Sequence, residues 1–342
     1  MKIIVDSHIP YISGKIEPFA TTEYLEPGDI TPIAVREADA LIVRTRTRCD
    51  AALLDGSRVR FIGSATIGTD HIDLDYCATH GITVRNAPGC NAPAVAQWVF
   101  AAIHTWMRTQ HITHPNGLTL GIVGVGHIGS IVARWARQLG FNILLNDPPR
   151  EKRDGSFDVI FGQKLHQKNR PLFTLQRECD IITFHTPLTR TGQWPTWHLC
   201  DRHFLDHLEH CGLIIDAARG AIADNEALLS WHGKVALDCW ENEPHISPAL
   251  LDKALVATPH IAGYSIEGKQ RGTAMMLAAL NDYYGWEIPV PTITAPATGA
   301  PEVTLDGIAA SYDIMTDTAR LKADATAFES LRNHYRHRPE YY

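Results

Sequence analysis

The sequence predicts an α/β protein with two doubly wound, Rossmann-like parallel sheets, a cleft between the two domains and a small C-terminal appendage. Three observations lead to this prediction. Short β-branched runs alternate with helical patterns, a second such series starts near residue 118, and the composition changes after Trp286. Strands that alternate with helices along the chain are typical of parallel sheets. A length of 342 residues is enough for two domains of this kind.

The first series occupies about the first hundred residues. Its predicted strands are 2–5, 40–43, 59–63 and 82–84, and its predicted helices are 50–54 and 73–79. A buried helix should then begin near Pro93, because proline suits the first turn of a helix. These elements predict one complete sheet before the second series begins.

The second series contains six further strands and a long helix. The predicted strands are 118–124, 142–147, 180–185, 212–217, 234–239 and 255–260, and the helix is 265–284. The polar stretch 150–175 has no apolar periodicity, so we expect an irregular insertion there. Residues 285–342 begin with a Pro/Thr/Ala-rich linker and are too few for a core of their own, so they should pack on another part of the protein.

Composition excludes several classes of protein. The formal net charge is −7, which argues against a nucleic-acid binder. The longest stretch without a charged residue, 86–107, contains two prolines and several polar residues, so we expect no membrane span. The N-terminus lacks the apolar run of a signal peptide. Seven scattered cysteines without a CxxC pair indicate a reducing compartment, and we expect a cytoplasmic protein.

A glycine-rich turn indicates a dinucleotide site. The strand LTLGIV leads into Gly124-Val125-Gly126-His127-Ile128-Gly129, and a helical pattern follows. Gly124 allows a tight turn, Gly126 lets a pyrophosphate approach the backbone, and Gly129 allows close packing of the helix on the strand. The helix N-terminus offers free N–H groups to the phosphates. We expect Gly124, Gly126, His127, Ile128 and Gly129 to bind the cofactor.

An acidic residue at the end of the next strand favours NAD. Asp147 comes 23 residues after Gly124, and about 20 is the spacing of a ribose-binding acid. Its carboxylate accepts hydrogen bonds from a ribose 2′-OH and repels a 2′-phosphate. Arg150 keeps NADP open as an alternative, because an arginine there accommodates a 2′-phosphate.

Three later strand ends carry an arginine, carboxylates and a histidine. Arg219 follows the strand 212–217. Asp238 lies near the end of the next strand, Glu243 follows that strand, and His260 ends the last. Ligands bind at the carboxyl ends of such strands. A guanidinium binds a substrate carboxylate, and a histidine oriented by a carboxylate removes a hydroxyl proton, so the set suits hydride transfer from a 2-hydroxy acid. Each residue alone suits a structural role, but their combination with the glycine-rich turn favours catalysis.

These motifs make the chain resemble the D-isomer-specific 2-hydroxyacid dehydrogenases. The resemblance covers nearly the whole chain, through VDSHIPY, ATIGTDHID, APGCNAPAV, GIVGVGHIGS, FHTPLTRTG and HIAGYSIEGKQRGT. The glycine-rich turn and the HTP motif mark the family as a whole. The APGCNA loop, the HIAGYS segment and the short C-terminal extension resemble the branch that oxidises 4-phospho-D-erythronate with NAD in vitamin B6 biosynthesis.

The resemblance implies roles for particular positions. The catalytic positions are Arg219, Glu243 and His260. The cofactor positions are Asp147, Thr186, Ala217, Ala218, Arg219, Asp238 and Gly263. The substrate positions are Thr45, Thr66 and Tyr264, although the family more often has serine where this chain has Thr45. It also implies a homodimer formed with the help of the C-terminal segment.

A phosphorylated 2-hydroxy acid needs a second anion site besides Arg219. The segment ALIVRTRTR ends a predicted strand with Arg44 and Arg46 on either side of Thr45. We expect the strand to end before Arg44, so that the loop turns Arg44, Thr45 and Arg46 inward and Arg44 meets the substrate phosphate. One alternative is that the strand continues, so that an arginine meets the phosphate while Thr45 only packs. The other is that these arginines form a solvated edge.

The predicted domains follow from these assignments. Residues 1–94 and 265–284 should form the substrate-binding domain, 95–264 the NAD-binding domain and 285–342 the dimerisation segment. Two other functions stay open: a related dehydrogenase for 3-phosphoglycerate or glycerate, and a non-enzymatic NAD(H)-sensing protein.

We predict no metal site and no reactive cysteine. His203 and His207 have a zinc-binding spacing but flank apolar residues of a short helix and lack further ligands, and Cys90 lacks a neighbouring base.

Overall fold

The computed structural model describes residues 1–155, 157, 159–160, 163–164, 168–293 and 302–341. The chain divides into two compact units. The first consists of Met1–Asn91 and Ser265–Pro296, and the second of Ala92–Tyr264 and Ala297–Tyr342. The first segment of the first unit therefore ends at residue 91, where we predicted 94, and the residues after 284 are divided between the two units.

The first unit contains one parallel sheet. Its strands are β1 (Lys2–Asp6), β2 (Thr21–Leu25), β3 (Ala40–Val43), β4 (Phe61–Ser64) and β5 (Thr83–Arg85). Their order is β2-β1-β3-β4-β5, which is the flavodoxin-like order of a doubly wound sheet. The sequence did not predict β2, a sheet-edge strand whose residues are half-buried or exposed.

The second unit contains a larger parallel sheet. Its strands are β6 (Thr119–Val123), β7 (Asn142–Asn146), β10 (Ile181–Phe184), β11 (Leu213–Asp216), β12 (Lys234–Leu237) and β13 (Val256–Ala257). The order β13-β12-β11-β10-β6-β7 reverses direction between β6 and β10. A short antiparallel pair, β8 (Val159–Ile160) and β9 (Gln163–Lys164), lies apart from this sheet. The predicted α/β fold with two parallel sheets is confirmed.

Helices connect the strands in both units. In chain order they are α1 (Pro32–Val35), α2 (Ala51–Leu54), α3 (Leu74–Thr79), α4 (Ala92–Thr109), α5 (His127–Leu139), α6 (Pro148–Asp154), α7 (Leu172–Glu178), α8 (Arg202–Asp206), α9 (Asn225–Ser230), α10 (Pro248–Lys253), α11 (Ile266–Tyr284), α12 (Leu305–Ser311), α13 (Ile314–Ala323) and α14 (Phe328–Asn333). Two single 3₁₀ turns lie at Pro27–Asp29 and Ala325–Ala327. Across the described ranges, no helix is both long enough and apolar enough to cross a membrane.

The prediction of an irregular insertion over 150–175 was wrong at both ends. Helix α6 reaches Asp154 and α7 begins at Leu172. Helix α6 forms without an apolar face because Asp147 caps it and two prolines occupy its first turn, which fixes their φ angles in advance. Part of the stretch between these helices lies outside the described residues.

The C-terminal helices pack on the core of the second unit. Leu305, Ile308 and Ile314 belong to the same apolar cluster as α4 and α5, and Leu321 and Phe328 join the cluster on the other side of the sheet. The segment therefore buries its apolar residues within its own chain, as the length of the segment led us to expect. Whether it also mediates dimerisation stays a prediction.

Candidate active site

The glycine-rich turn joins β6 to α5 where the strand order reverses. Gly124 has a φ of +87°, and a Cβ there would lie 2.7 Å from the His185 carbonyl carbon. A Cβ on Gly129 would lie 2.0 Å from the Gly124 oxygen, whereas one on Gly126 would meet no atom within 4 Å. Side chains at Gly124 and Gly129 would therefore clash with backbone atoms, whereas the space beside Gly126 is open. Helix α5 begins here without a side-chain cap, so its first N–H groups point to the open side.

Asp147 is fixed beside this turn. One carboxylate oxygen accepts a hydrogen bond from the Val125 amide at 2.8 Å, and the other accepts from the Arg150 amide at 2.9 Å. The Arg150 guanidinium donates to the Val125 carbonyl and to the Ser130 hydroxyl, and it forms an ion pair with Asp154 at 3.3 Å. The Arg150 side chain is thus already engaged by these protein groups, which argues against its use as a partner for a 2′-phosphate.

The end of β10 supplies a polar atom without a protein partner. The Thr186 Oγ1 is buried and makes no hydrogen bond to any residue the structure describes. Its neighbour His185 contacts the Thr183 hydroxyl at 3.0 Å, and burial lowers the pKa of His185 to about 3, so this imidazole is neutral. The open space over Gly126, the uncapped helix and the unpartnered Thr186 hydroxyl fit a dinucleotide with its own hydrogen-bonding groups.

Arg219 lies in the loop after β11. Its Nη1 donates to the Ala218 carbonyl at 2.7 Å, and the Ala218 amide in turn donates to the Asp216 carboxylate at 2.9 Å. Ala217 and Ala218 are buried. Burial raises the pKa of Asp216 to about 7, against the lowering effect of the loop amides and of the Arg219 charge. Asp216 therefore holds the backbone of the loop through the Ala218 amide, one residue before Arg219.

Asp238, at the end of β12, holds the turn after His260. Its carboxylate accepts hydrogen bonds from the Thr258 hydroxyl at 2.5 Å and from the amides of Ile261 and Ala262 at 2.8 and 2.9 Å. Burial raises the pKa of this carboxyl, although the His260 charge and these donors act in the opposite direction. Gly263 follows in the same turn and is partly buried. Asp238 is only 1 % exposed, and its hydrogen bonds fix the backbone of this turn.

His260 and Glu243 form a direct pair. The His260 Nδ1 lies 2.8 Å from the Glu243 Oε2, and the other oxygen accepts from the Trp240 amide at 2.8 Å. Burial raises the pKa of Glu243, but the charge and hydrogen bond of His260, the Trp240 amide and the Arg332 charge together lower it below its usual value. The carboxylate is therefore ionised at neutral pH. It accepts the Nδ1 proton, which leaves Nε2 as the atom available to a substrate.

The Cys239 thiol lies beside the pair of Glu243 and His260. Ligand atoms of Cys239, Glu243 and His260 lie within 4.8 Å of one another. Burial raises the pKa of Cys239 well above its usual value, and the Arg219 charge acts on the same thiol in the opposite direction. The thiol stays protonated, so it is a weak metal ligand. Two of the three predicted catalytic residues, Glu243 and His260, thus lie beside one buried cysteine, and the third, Arg219, acts on it through its charge.

A second histidine, which the sequence analysis did not single out, ties two of these loops together. The His198 Nε2 lies 2.7 Å from the Glu241 carboxylate, and its amide donates to the Ala221 carbonyl at 2.8 Å. The Asp224 carboxylate lies 3.7 Å from the other ring nitrogen. His198 therefore links the Arg219 loop to the segment that carries Glu243.

Two arginines of the C-terminal segment meet the loop that follows His260. The buried Arg338 donates to the carbonyls of Ile261, Ala262 and Tyr264, and to the Gln97 side chain. The Arg332 Nε lies 3.3 Å from the Tyr264 hydroxyl. The rings of Tyr335 and His337 also stand edge-on to the Tyr264 ring, at 6.2 and 6.0 Å. Neither arginine was predicted from the sequence, because no spacing connects them with residues more than sixty positions earlier.

The remaining predicted substrate residues belong to the first unit. Strand β3 ends at Val43, so Arg44 and Thr45 lie in the turn that follows it, with Thr45 exposed. The Arg44 Nε forms an ion pair with the fully buried Asp6 at 3.0 Å. The Thr66 hydroxyl lies 2.8 Å from the Ser64 hydroxyl, which also approaches the His71 ring at 3.3 Å. His203 and His207, weighed above for zinc, are both exposed on the surface of the second unit.

Comparison with known proteins adds independent evidence. Residues 91–262 match the sequence model of the D-isomer specific 2-hydroxyacid dehydrogenase, NAD binding domain. An erythronate-4-phosphate dehydrogenase from Bacteroides fragilis is 43 % identical over 347 residues, which cover 98 % of this chain and 96 % of the relative. One from Bacteroides thetaiotaomicron is 41 % identical over 345 residues, with the same coverage of both chains.

Solved structures share the same fold. The crystal structure of D-lactate dehydrogenase from Aquifex aeolicus, complexed with NAD and lactic acid, matches with a TM-score of 0.67 and 22 % identity. The match covers 83 % of this chain and 96 % of that chain. At this level of identity the likeness establishes a common fold.

Proposed function

The chain belongs to the D-isomer specific 2-hydroxyacid dehydrogenase family, and from that premise we propose that it oxidises 4-phospho-D-erythronate at C2 to 2-oxo-3-hydroxy-4-phosphobutanoate. The enzyme is an NAD-dependent dehydrogenase of this family. The reaction is a step of pyridoxal 5′-phosphate biosynthesis. The near full-length identity to erythronate-4-phosphate dehydrogenases supports this substrate.

The hydrogen bond between His260 and Glu243 carries the proposal. In the oxidation, His260 Nε2 removes the proton of the C2 hydroxyl, and Glu243 orients the ring and stabilises its protonated form. Arg219 binds the substrate carboxylate and polarises the carbonyl that develops at C2. NAD, when bound, accepts the hydride from C2.

The cofactor is held by the second unit in this proposal. Gly126 and the first N–H groups of α5, around His127, Ile128 and Gly129, would hold the pyrophosphate. Asp147 binds the ribose hydroxyls, and the Thr186 hydroxyl gains a partner from the cofactor. Around the nicotinamide we propose the residues that the family resemblance implies, namely Ala217, Ala218, Arg219, Asp238 and Gly263.

For the rest of the substrate we propose Thr45, Thr66 and Tyr264 as hydrogen-bonding residues. Arg44 is proposed as a phosphate ligand that shares its guanidinium with Asp6. We also propose that the enzyme acts in the cytoplasm as a homodimer. The seven cysteines, all within the described residues, form no disulfide, which is consistent with a reducing compartment.

Turnover across a panel of acids tests the proposal. We would measure NADH formation with 4-phospho-D-erythronate, D-erythronate, 3-phospho-D-glycerate and D-glycerate, with NAD and with NADP. We expect the highest kcat/KM for 4-phospho-D-erythronate with NAD. A preference for either glycerate compound would assign the enzyme to another branch of the family, and NAD binding without any turnover would favour a sensor.

A further inference from the structure

The substrate carries two anionic groups that lie apart. Its carboxylate is bonded directly to the reacting C2 carbon, whereas its phosphate is attached at C4, two carbons further along. A single guanidinium beside the hydride site serves the carboxylate. A separate positive group must therefore bind the phosphate dianion, which interacts strongly with the planar fork of an arginine.

Arg332 meets this requirement on the second unit. It lies on α14 of the C-terminal segment, outside the region matched by the family's sequence model. Its Nε donates to the hydroxyl of Tyr264, four residues after His260. Arg332 is half-buried, and its contact with Tyr264 places it next to a predicted substrate residue.

The Arg332 guanidinium also has N–H donors that bind no described residue. Within the described ranges its two terminal NH₂ groups make no hydrogen bond, and no carboxylate lies within 4.0 Å of it. Two acids, Glu243 and Glu329, act electrostatically on Arg332 and raise its pKa, and Glu243 is committed to His260 and to the Trp240 amide. By contrast, Arg338 on the same segment uses its guanidinium on backbone carbonyls and on Gln97. A partly buried cation with free donors is stabilised by an anionic ligand.

We propose that Arg332, together with the Tyr264 hydroxyl, binds the C4 phosphate of the substrate. The C-terminal segment then determines substrate specificity as well as packing on the core. This inference rests on the proposed function, because it names the residue that recognises the phosphate of that substrate. It also gives Arg332, rather than Arg44, the larger share of the phosphate's binding energy.

The test is steady-state kinetics of Arg332→Met and Arg332→Lys in the full-length enzyme. Charge-assisted hydrogen bonds of this kind predict a rise of about ten- to a hundredfold in KM for 4-phospho-D-erythronate in Arg332→Met, with kcat changed by less than about threefold. Arg332→Lys keeps the charge but loses the fork, so its KM should rise less. The matched control is Arg336→Ala, an exposed arginine of the same segment, which should leave KM unchanged.

Inorganic phosphate supplies a readout that does not depend on turnover. Titration calorimetry with the NADH-loaded enzyme should give a dissociation constant for phosphate that rises in Arg332→Met by a factor similar to that for KM. A purely structural role for Arg332, acting through Tyr264, would instead lower kcat and the melting temperature and leave phosphate binding intact. If Arg332→Met does not fold, the comparison of wild type with Arg332→Lys decides the question by the same two measurements.

The two failures are distinguishable. If the wild type does not oxidise 4-phospho-D-erythronate, the proposed function is wrong, and phosphate affinity still reports on Arg332. If the wild type does oxidise it but Arg332→Met has an unchanged KM and unchanged phosphate affinity, the role of Arg332 is refuted while the function stands. An equal rise in KM for D-erythronate would also refute phosphate recognition.

Discussion

Asp238 holds His260 in place through both its backbone and its side chain. Its carbonyl accepts a hydrogen bond from the His260 amide at 2.8 Å, while its carboxylate accepts from the amides of the next two residues. His260 has a φ of +56°, in the left-handed region that is costly for a residue with a Cβ. These three hydrogen bonds offset that cost. They explain how an unfavourable backbone conformation persists at the residue that we assign to proton transfer.

His260→Ala should abolish most activity without loss of the cofactor. A positioned general base contributes about 10²–10⁴-fold to the rate, so we expect kcat to fall by that factor. NADH binding should change little, because the imidazole is not part of the glycine-rich turn. Steady-state kinetics and fluorescence titration with NADH measure the two quantities. Near wild-type turnover would show that another group moves the proton.

Glu243→Gln should act through the histidine. The pKa of Glu243 is lowered, so the carboxylate stays ionised across the working pH range and does not itself produce an acidic limb. Removal of its negative charge favours the neutral imidazole, so the acidic limb of kcat/KM should move to lower pH. We expect a smaller fall in kcat than for His260→Ala. A limb at the wild-type position would count against the pair.

Much of the fold could be predicted from local sequence. Strand β3 lies at the predicted residues 40–43, because a β-branched run between polar residues is a strong strand signal. Strand β2 was missed because TTEYL has no alternation of buried and exposed positions. The α6 helix was missed because its capping residue and prolines, rather than an apolar face, define it. The errors therefore occur where periodicity is absent.

The candidate site was only partly predictable. The glycine-rich turn, Asp147 and the pair of Glu243 with His260 follow strand ends, where local sequence and fold topology give the position. Arg332 and Arg338 act on a loop that precedes them by about seventy residues. Such a contact depends on the packing of the C-terminal helices against the core, and that packing leaves no spacing signal in the sequence.

Asp147→Ala should weaken the preference for NAD. Its carboxylate, fixed by the Val125 and Arg150 amides, is available to the ribose hydroxyls and repels a 2′-phosphate. The variant should lose affinity for NAD and gain affinity for NADP. The ratio of kcat/KM for the two cofactors checks this expectation. Arg134→Ala, a partly buried position on α5, serves as the control for general effects on this region.

Asp216→Asn should stabilise the protein most at high pH. Burial raises the folded-state pKa of Asp216 from 3.8 to about 7. Between these values the unfolded chain binds fewer protons than the folded one, so the group's contribution to stability falls as pH rises through this window. The gain in free energy of unfolding should be larger at pH 8 than at pH 5 by at least about 1 kcal/mol. Chemical denaturation at the two pH values measures it, with the exposed Asp252→Asn as control. Equal gains at both values would contradict the shift.

Arg44 offers a way to separate a structural role from substrate recognition. Asp6 is fully buried and receives the Arg44 Nε at 3.0 Å, while the arginine side chain is 22 % exposed. Arg44→Ala leaves a buried carboxylate without its cation, which should lower the free energy of unfolding by about 3 kcal/mol. The double variant Arg44→Ala with Asp6→Asn removes that unpaired charge and should recover much of the loss. Arg58→Ala breaks the pairs of an exposed arginine with Glu37 and Asp39 and should change stability little.

The KM for 4-phospho-D-erythronate is then measured in the stable double variant. If Arg332 carries the phosphate, this KM should stay within about threefold of the wild-type value, because the remaining guanidinium still supplies the charge-assisted bonds. A rise in this KM of about tenfold or more in a well-folded double variant would instead assign phosphate binding to Arg44.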